Sequence, residues 1–239
     1  AANWVIDNQG RRALQYSAVE GVMELRTALA HWETENGVPT KPEEVLVCSG
    51  SQQGLDMIAR LFLDPGSKML VESPTYLGAL QAFQLSQPEF VELPCDEQGL
   101  NPAAMGEECR GARLAYVMPT FQNPTGRSID VERRKLLAEK AREYDFWILE
   151  DNPYGQIYYD EKPALSMRAF APERTITLNT MSKVLAPGFR LGYFMAPKII
   201  IDALSAHYGP LPRARSDEEA PAVRARHLQA ARRMHAQCA

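Results

Sequence analysis

Apolar positions along the chain follow two different spacings. Val22, Leu25, Leu29 and Trp32 recur every three or four residues, which places them on one helical face. An amphipathic helix is therefore predicted over Val19 to Glu35, ended by Asn36-Gly37. The next segment, VLVCSG (45–50), is a short apolar run of the kind that fills a buried strand, and Leu55, Ile58 and Phe62 return to helical spacing behind it. The alternation continues. KMLVESP (68–74), FVEL (90–93), RLAYVMP (113–119), FWILED (146–151), RTITLNT (174–180) and RLGYFMAP (190–197) predict strands. Tyr76 to Leu85, Pro102 to Arg110 and Asp130 to Tyr144 predict helices between them. Strands and helices in this rhythm predict an α/β fold, a doubly wound, mostly parallel sheet with helices on both faces. Such sheets gather ligands at the carboxyl ends of their strands. The polar clusters at the predicted ends are SGSQQ, PTFQNPTG, EDNPYG and TMSK.

Composition narrows the class without changing that picture. With 239 residues, 45% apolar and 23% charged, the chain suits one medium globular domain or one and a half. No apolar run approaches the roughly 20 residues of a membrane helix, and the opening AANWVIDNQGRR lacks the features of a signal peptide, so a cytoplasmic protein with no membrane partner is expected. A net charge of −4 gives no reason to expect nucleic acid. The four cysteines show no metal-binding spacing and are expected to be reduced, with no metal site. Beyond Pro210 the periodicity fades. Residues 211–239 hold six arginines against three acids and read as an atypical Ala- and Arg-rich tail, with helix from Ala222 onward, behind a domain spanning 1–210.

The strand-end clusters carry the candidate chemistry. SGSQQ opens directly into a helix, whose free N–H groups and positive dipole end suit a phosphate, although Ser51 also fits an ordinary helix cap. Asp151, at the end of an apolar strand, needs a partner there; a cationic ring nitrogen would serve, as would a turn that it caps. Asn123 sits in a turn-rich loop, where it can donate and accept in plane or simply hold the turn. Lys183, near Arg190, is either a solvated side chain or an amine made nucleophilic by burial and a neighbouring cation. One ligand satisfies all four positions. It needs an aldehyde for Lys183, a phosphate for Ser51, Gln52, Thr180, Ser182 and Arg190, a pyridinium nitrogen for Asp151 and a ring hydroxyl for Asn123 and Tyr154. Pyridoxal 5′-phosphate has these groups, and Tyr76 can stack on its ring.

LQYSAVEGVMELR, the run from VLVCSGSQQG to TYLGALQAF, PTFQNPTG, EDNPYG and TMSKVLAPGFRLGY together resemble the fold-type I, class I/II pyridoxal-phosphate aminotransferases. Within that family the chain is most similar to the branch of 2-aminoadipate and aromatic or branched-chain aminotransferases and the aminotransferase-like domains of MocR-type regulators. The resemblance covers residues 14–195 in the family's order. It implies that Lys183 forms the Schiff base and shuttles the substrate's Cα proton, that Asp151 keeps the ring nitrogen protonated, and that Asn123 and Tyr154 hold the phenolic oxygen. It further implies phosphate binding by Ser51, Gln52, Thr180, Ser182 and Arg190, a ring covered by Tyr76, and Tyr16 reaching the site of a second subunit in a homodimer. The expected reaction is transamination between an amino acid and a 2-oxo acid. The same motifs also fit a pyridoxal-phosphate-dependent β-lyase or the effector-binding domain of a MocR-type regulator. Nothing after Pro210 resembles the family's small C-terminal domain, which is expected to be missing, so 1–210 corresponds to a partial large domain. None of the arginines from Arg213 to Arg233 matches the family's carboxylate clamp, and the chain reads as though its frame changes near His207.

Overall fold

The computed structural model describes residues 2–208. The expected tail, and its helix from Ala222, lie outside them. Helix α1 (Ala2–Ala13) is followed by α2 (Met23–Glu35), strand β1 (Val45–Cys48), α3 (Ser51–Phe62), β2 (Lys68–Glu72), α4 (Leu77–Gln84) and β3 (Glu89–Leu93). A short hairpin of β4 (Cys95–Asp96) and β5 (Gly99–Leu100) leads on to β6 (Leu114–Val117), α5 (Val131–Glu143), β7 (Trp147–Asp151), β8 (Thr175–Thr180), β9 (Gly192–Met195) and α6 (Lys198–Tyr208).

Seven strands form one sheet in the order β1-β9-β8-β7-β6-β2-β3. β2, β3, β6, β7 and β8 pair in parallel, whereas β9 runs antiparallel to both β8 and β1. The chain winds outward from β2 to β3 and then returns to place β6 on the other side of β2. The winding direction therefore reverses between β2 and β6, where an open α/β sheet leaves a crevice at its carboxyl edge. Helices cover both faces. Leu55, Ile58 and Phe62 of α3 and Ile200 and Leu204 of α6 pack with Leu46, Tyr116, Leu149, Leu178 and Phe194 on one face. Leu137, Ala138 and Ala141 of α5 pack with Leu70, Ala115, Val117 and Ile148 on the other. The full burial of β6 and of the first part of β7 explains why LAYV and WIL read as continuous apolar runs, whereas the equally buried β8 alternates Ile and Leu with Thr and Asn.

The six further strands and the strand at 45–48 occur where the sequence predicts them, with local differences elsewhere. α1, α6 and the β4/β5 hairpin were not predicted. The first α2 turn begins four residues later than the periodicity suggests, because Val19 and Glu20 form a turn in which Gly21 N donates to Ala18 O at 3.0 Å with Gly21 at φ +98°, and Glu20 O accepts from Val47 N at 2.9 Å. The helix predicted over Pro102 to Arg110 is instead two single 3-10 turns, Pro102–Ala104 and Glu107–Cys109, separated at Gly106, whose backbone is extended at φ −130° and ψ −156°.

Candidate active site

β1 lies parallel to β2, β6, β7 and β8, so five strands deliver their carboxyl ends to one edge, where antiparallel β9 begins. A cleft of about 390 Å³ opens there. Ten of the eleven predicted site residues line it, one group from each strand end: Ser51 and Gln52 after β1, Tyr76 after β2, Asn123 after β6, Asp151 and Tyr154 at β7, Thr180, Ser182 and Lys183 at β8, and Arg190 before β9. The exception is Tyr16, which stands fully exposed beyond α1 and does not line this cleft.

One end of the cleft is built for an anion. Gly50, not Ser51, caps α3, so the Ser51 hydroxyl is not consumed as a cap, and the first N–H groups of the helix open at the cleft with the positive end of its dipole. Gly50 has φ +84°, and a Cβ there would stand 2.6 Å from Arg190 Nη2; glycine thus permits both the turn and the approach of the guanidinium. Gly192 works similarly, since its Cβ would fall 2.8 Å from the Gly50 carbonyl carbon. Thr180 Oγ1 donates to Ser182 Oγ at 3.0 Å and accepts from Ser182 N at 3.2 Å, which curls the loop after β8 into a turn facing α3. Gln52 Nε2 donates to Gly78 O at 2.9 Å and ties α3 to the first turn of α4 beside Tyr76.

The opposite end is acidic and buried. Asp151 is 3% exposed; Tyr116 on β6 donates its hydroxyl to Oδ2 at 2.8 Å, while Oδ1 is buried without a hydrogen-bond partner. It caps no turn. Burial pushes its carboxyl up from the usual 3.8 to about 6; the Tyr116 hydrogen bond pulls against that shift and the neighbouring Glu150 charge adds to it. Glu72, at the end of β2, is also buried and pushed up to about 7, although it accepts from Met118 N at 2.7 Å. Between the two ends, Lys183 Nζ lies 5.9 Å from the centroid of the Tyr154 ring. Lys183 is exposed, so the burial expected to activate it is not found; it lies on the turn beyond β8, where Val184 and Leu185 are exposed as well.

Several contributors escaped the sequence reading. Gln122 is buried, donates to Pro74 O at 2.7 Å and accepts from Thr125 N and Oγ1 at 2.9 and 2.7 Å, which fixes the loop carrying Asn123 against the segment carrying Tyr76. Met118 and Pro153 also line the cleft. Tyr116 was hidden inside an apolar strand run.

An anion cradle, a primary amine and a buried carboxylate with one unpaired oxygen thus line one cleft at the carboxyl edge of the sheet. The family model described as aminotransferase class I and II matches residues 2–235, and the chain belongs to that family. It is 44% identical over 201 residues to aromatic-amino-acid aminotransferase 1 of Thermococcus litoralis, covering 80% of this chain and 48% of the relative. It is 38% identical over 216 residues to the 2-aminoadipate transaminase of Thermus thermophilus, covering 87% and 53%. The chain thus spans about half the length of the curated relatives it matches. Among solved structures, the α-aminoadipate aminotransferase of Thermus thermophilus, complexed with N-(5′-phosphopyridoxyl)-L-leucine, aligns with TM-score 0.80 and 34% identity over 98% of this chain and 62% of that one. The names of these relatives favour neither the regulator nor the β-lyase reading.

Proposed function

We propose that the chain carries the cofactor-binding part of a pyridoxal-phosphate-dependent aminotransferase that moves an amino group between an amino acid and a 2-oxo acid. The observation that carries this reading is Asp151. A buried carboxylate with one unpaired oxygen is costly unless a cation meets it. A pyridinium nitrogen supplies that cation, and the remaining lining residues fit the rest of the same molecule. Ser51, Thr180, Ser182, Arg190 and the first turn of α3 would hold the phosphate, with Gln52 bracing that end. Tyr76 would cover the ring, and Asn123 and Tyr154 would hold its hydroxyl oxygen.

When bound, the cofactor supplies an aldehyde that captures amino groups and a ring that withdraws electrons from the carbon bearing them. Lys183 Nζ would hold the aldehyde and carry the proton to and from the substrate Cα. Asp151 would keep a proton on the ring nitrogen by offering it a negative partner. Tyr16, absent from its own chain's cleft, is free to reach the cleft of a second copy. Leu77, at the start of α4, and Leu185 and Phe189, between β8 and β9, are exposed by 65%, 66% and 69% and would supply apolar surface for such a homodimer.

The test is reconstitution of the purified chain with pyridoxal 5′-phosphate, followed by borohydride reduction and peptide mapping. A visible absorbance band and a cofactor mass fixed on Lys183 are expected, both lost in Lys183→Ala. Absence of the band and of the adduct in the intact chain would remove the cofactor from the reading. Amino-donor panels with 2-oxoglutarate then separate aromatic from 2-aminoadipate specificity.

A further inference from the structure

We propose that Tyr116 is a positioning residue for Asp151, its hydroxyl holding one carboxylate oxygen so that the other remains the acceptor offered to a cationic ring nitrogen. The inference rests on the cofactor reading above. Tyr116 does not line the cleft, so its influence runs through the carboxylate. The sheet register sets the pair. Tyr116 stands opposite Leu149 across the parallel β6/β7 ladder, and Asp151 lies two residues further on the same face. The phenol ring is fully buried and packs edge-to-face on Phe83, with centroids 5.3 Å apart at 67°. It is therefore a fixed donor, whereas an aspartate carboxylate unconstrained by a partner rotates broadly about its terminal torsion.

The electrostatic surroundings decide what the bond does. Facing or adjoining Asp151 are Glu150 on its own strand, Glu72 at the end of β2, Tyr76 after β2, Tyr154 beyond β7, and Lys183 and Arg190 from the loop between β8 and β9. Glu150 disfavours the Asp151 charge, as does burial, and the Tyr116 hydroxyl is the one hydrogen bond that counters them. Burial, then the charge and hydrogen bond of Asp151 and the charge of Glu72, push the Tyr116 phenol well above its usual range, so it remains a protonated donor at every working pH. Loss of the hydroxyl would leave both carboxylate oxygens unpaired and raise the pH at which Asp151 becomes charged. A protonated Asp151 no longer attracts a cationic ring, so cofactor affinity would fall on the acid side first.

The experiment titrates the full chain with pyridoxamine 5′-phosphate by calorimetry from pH 5 to 8.5; this probe lacks the aldehyde, so Lys183 chemistry does not enter. For the unsubstituted chain, affinity is expected to fall below a midpoint near the Asp151 value of about 6. Tyr116→Phe keeps the ring and its packing. Its acid midpoint should rise by about one unit, so that affinity falls about twofold at pH 7 and about tenfold at pH 5, and Asp151→Asn should keep only the acid limb set by the probe's own phosphate, which titrates at about 6. An unchanged midpoint in Tyr116→Phe overturns the proposal, and so does a uniform weakening at all pH values, which would mark a packing role alone. Should Tyr116→Phe not fold, 3-fluorotyrosine incorporated at position 116 is a stronger donor and must lower the midpoint; no movement overturns the proposal equally. If the unsubstituted chain does not bind the probe at all, the cofactor reading itself fails, a result separate from any effect of Tyr116.

Discussion

At the scale of single residues, Asp151 sets function against stability. Its folded carboxyl titrates near 6 against 3.8 when unperturbed, so between about pH 4 and 6 the folded chain binds more protons than the unfolded one. Stability from this group is therefore fully present at low pH and declines as pH rises through 6, by up to ~3 kcal/mol, and Glu72 extends the decline to about 7 with the same sign. Asp151→Asn removes the buried charge while keeping the shape. Without cofactor it should be more stable than the parent by about 1–3 kcal/mol at pH 8 and equal to it near pH 4, measured by denaturant unfolding. A parent chain that is the more stable at pH 8 would contradict the burial argument. Asp151 was legible in the sequence because an acid ending an apolar strand has few bland explanations. Tyr116 was not, because a tyrosine within LAYV is indistinguishable from core until a register shows what its hydroxyl reaches.

Between elements, α5 holds the loops that frame the cleft through one fully buried arginine. Arg134 donates to Pro119 O at 2.6 Å, Thr120 Oγ1 at 2.9 Å, Leu165 O at 3.0 Å and Ile129 O at 3.1 Å, and lies 3.9 Å from Glu150 Oε1. Glu150 in turn accepts from Ser166 Oγ, from Thr177 Oγ1 at 2.8 Å and from Met167 N at 3.1 Å. This polar layer joins the end of β6 to the strand that carries Asp151. Arg134→Met leaves Glu150 short of its countercharge and several carbonyls unpaired, and should destabilise the chain by about 3–5 kcal/mol. Arg134→Met with Glu150→Gln should recover part of that loss in a double-mutant cycle; strictly additive losses would show that the two do not interact. α5 itself was legible from Leu137, Ala138 and its Asp130 cap, which accepts from Arg133 N at 2.8 Å. Which of the many charges in VERRKLLAEKARE points inward was not, because periodicity reports apolar faces only. α1 was hidden for a different reason: in ANWVIDNQGRRA the large apolar residues Trp4, Val5 and Ile6 are consecutive and do not recur at i+3 or i+4.

For the molecule as a whole, the sheet order explains why four of the five motifs meet at one cleft, and Tyr16, in the fifth, stands outside it. If a second copy receives Tyr16, each complete site is shared, and a twofold dimer has two of them. Two defective chains then complement each other. Lys183→Ala supplies an intact Tyr16, and Tyr16→Phe supplies an intact Lys183, so a mixed dimer contains one site with both. Lys183→Ala alone should give no covalent cofactor band, and Tyr16→Phe alone a band that saturates only at higher cofactor concentration. After unfolding and refolding together, the mixture should regain a fraction of sites with the parent's affinity, whereas the two chains refolded apart and then combined should not until subunits exchange. If Tyr16 acted within its own chain, no mixing could join it to a working lysine, and the tight fraction would never appear.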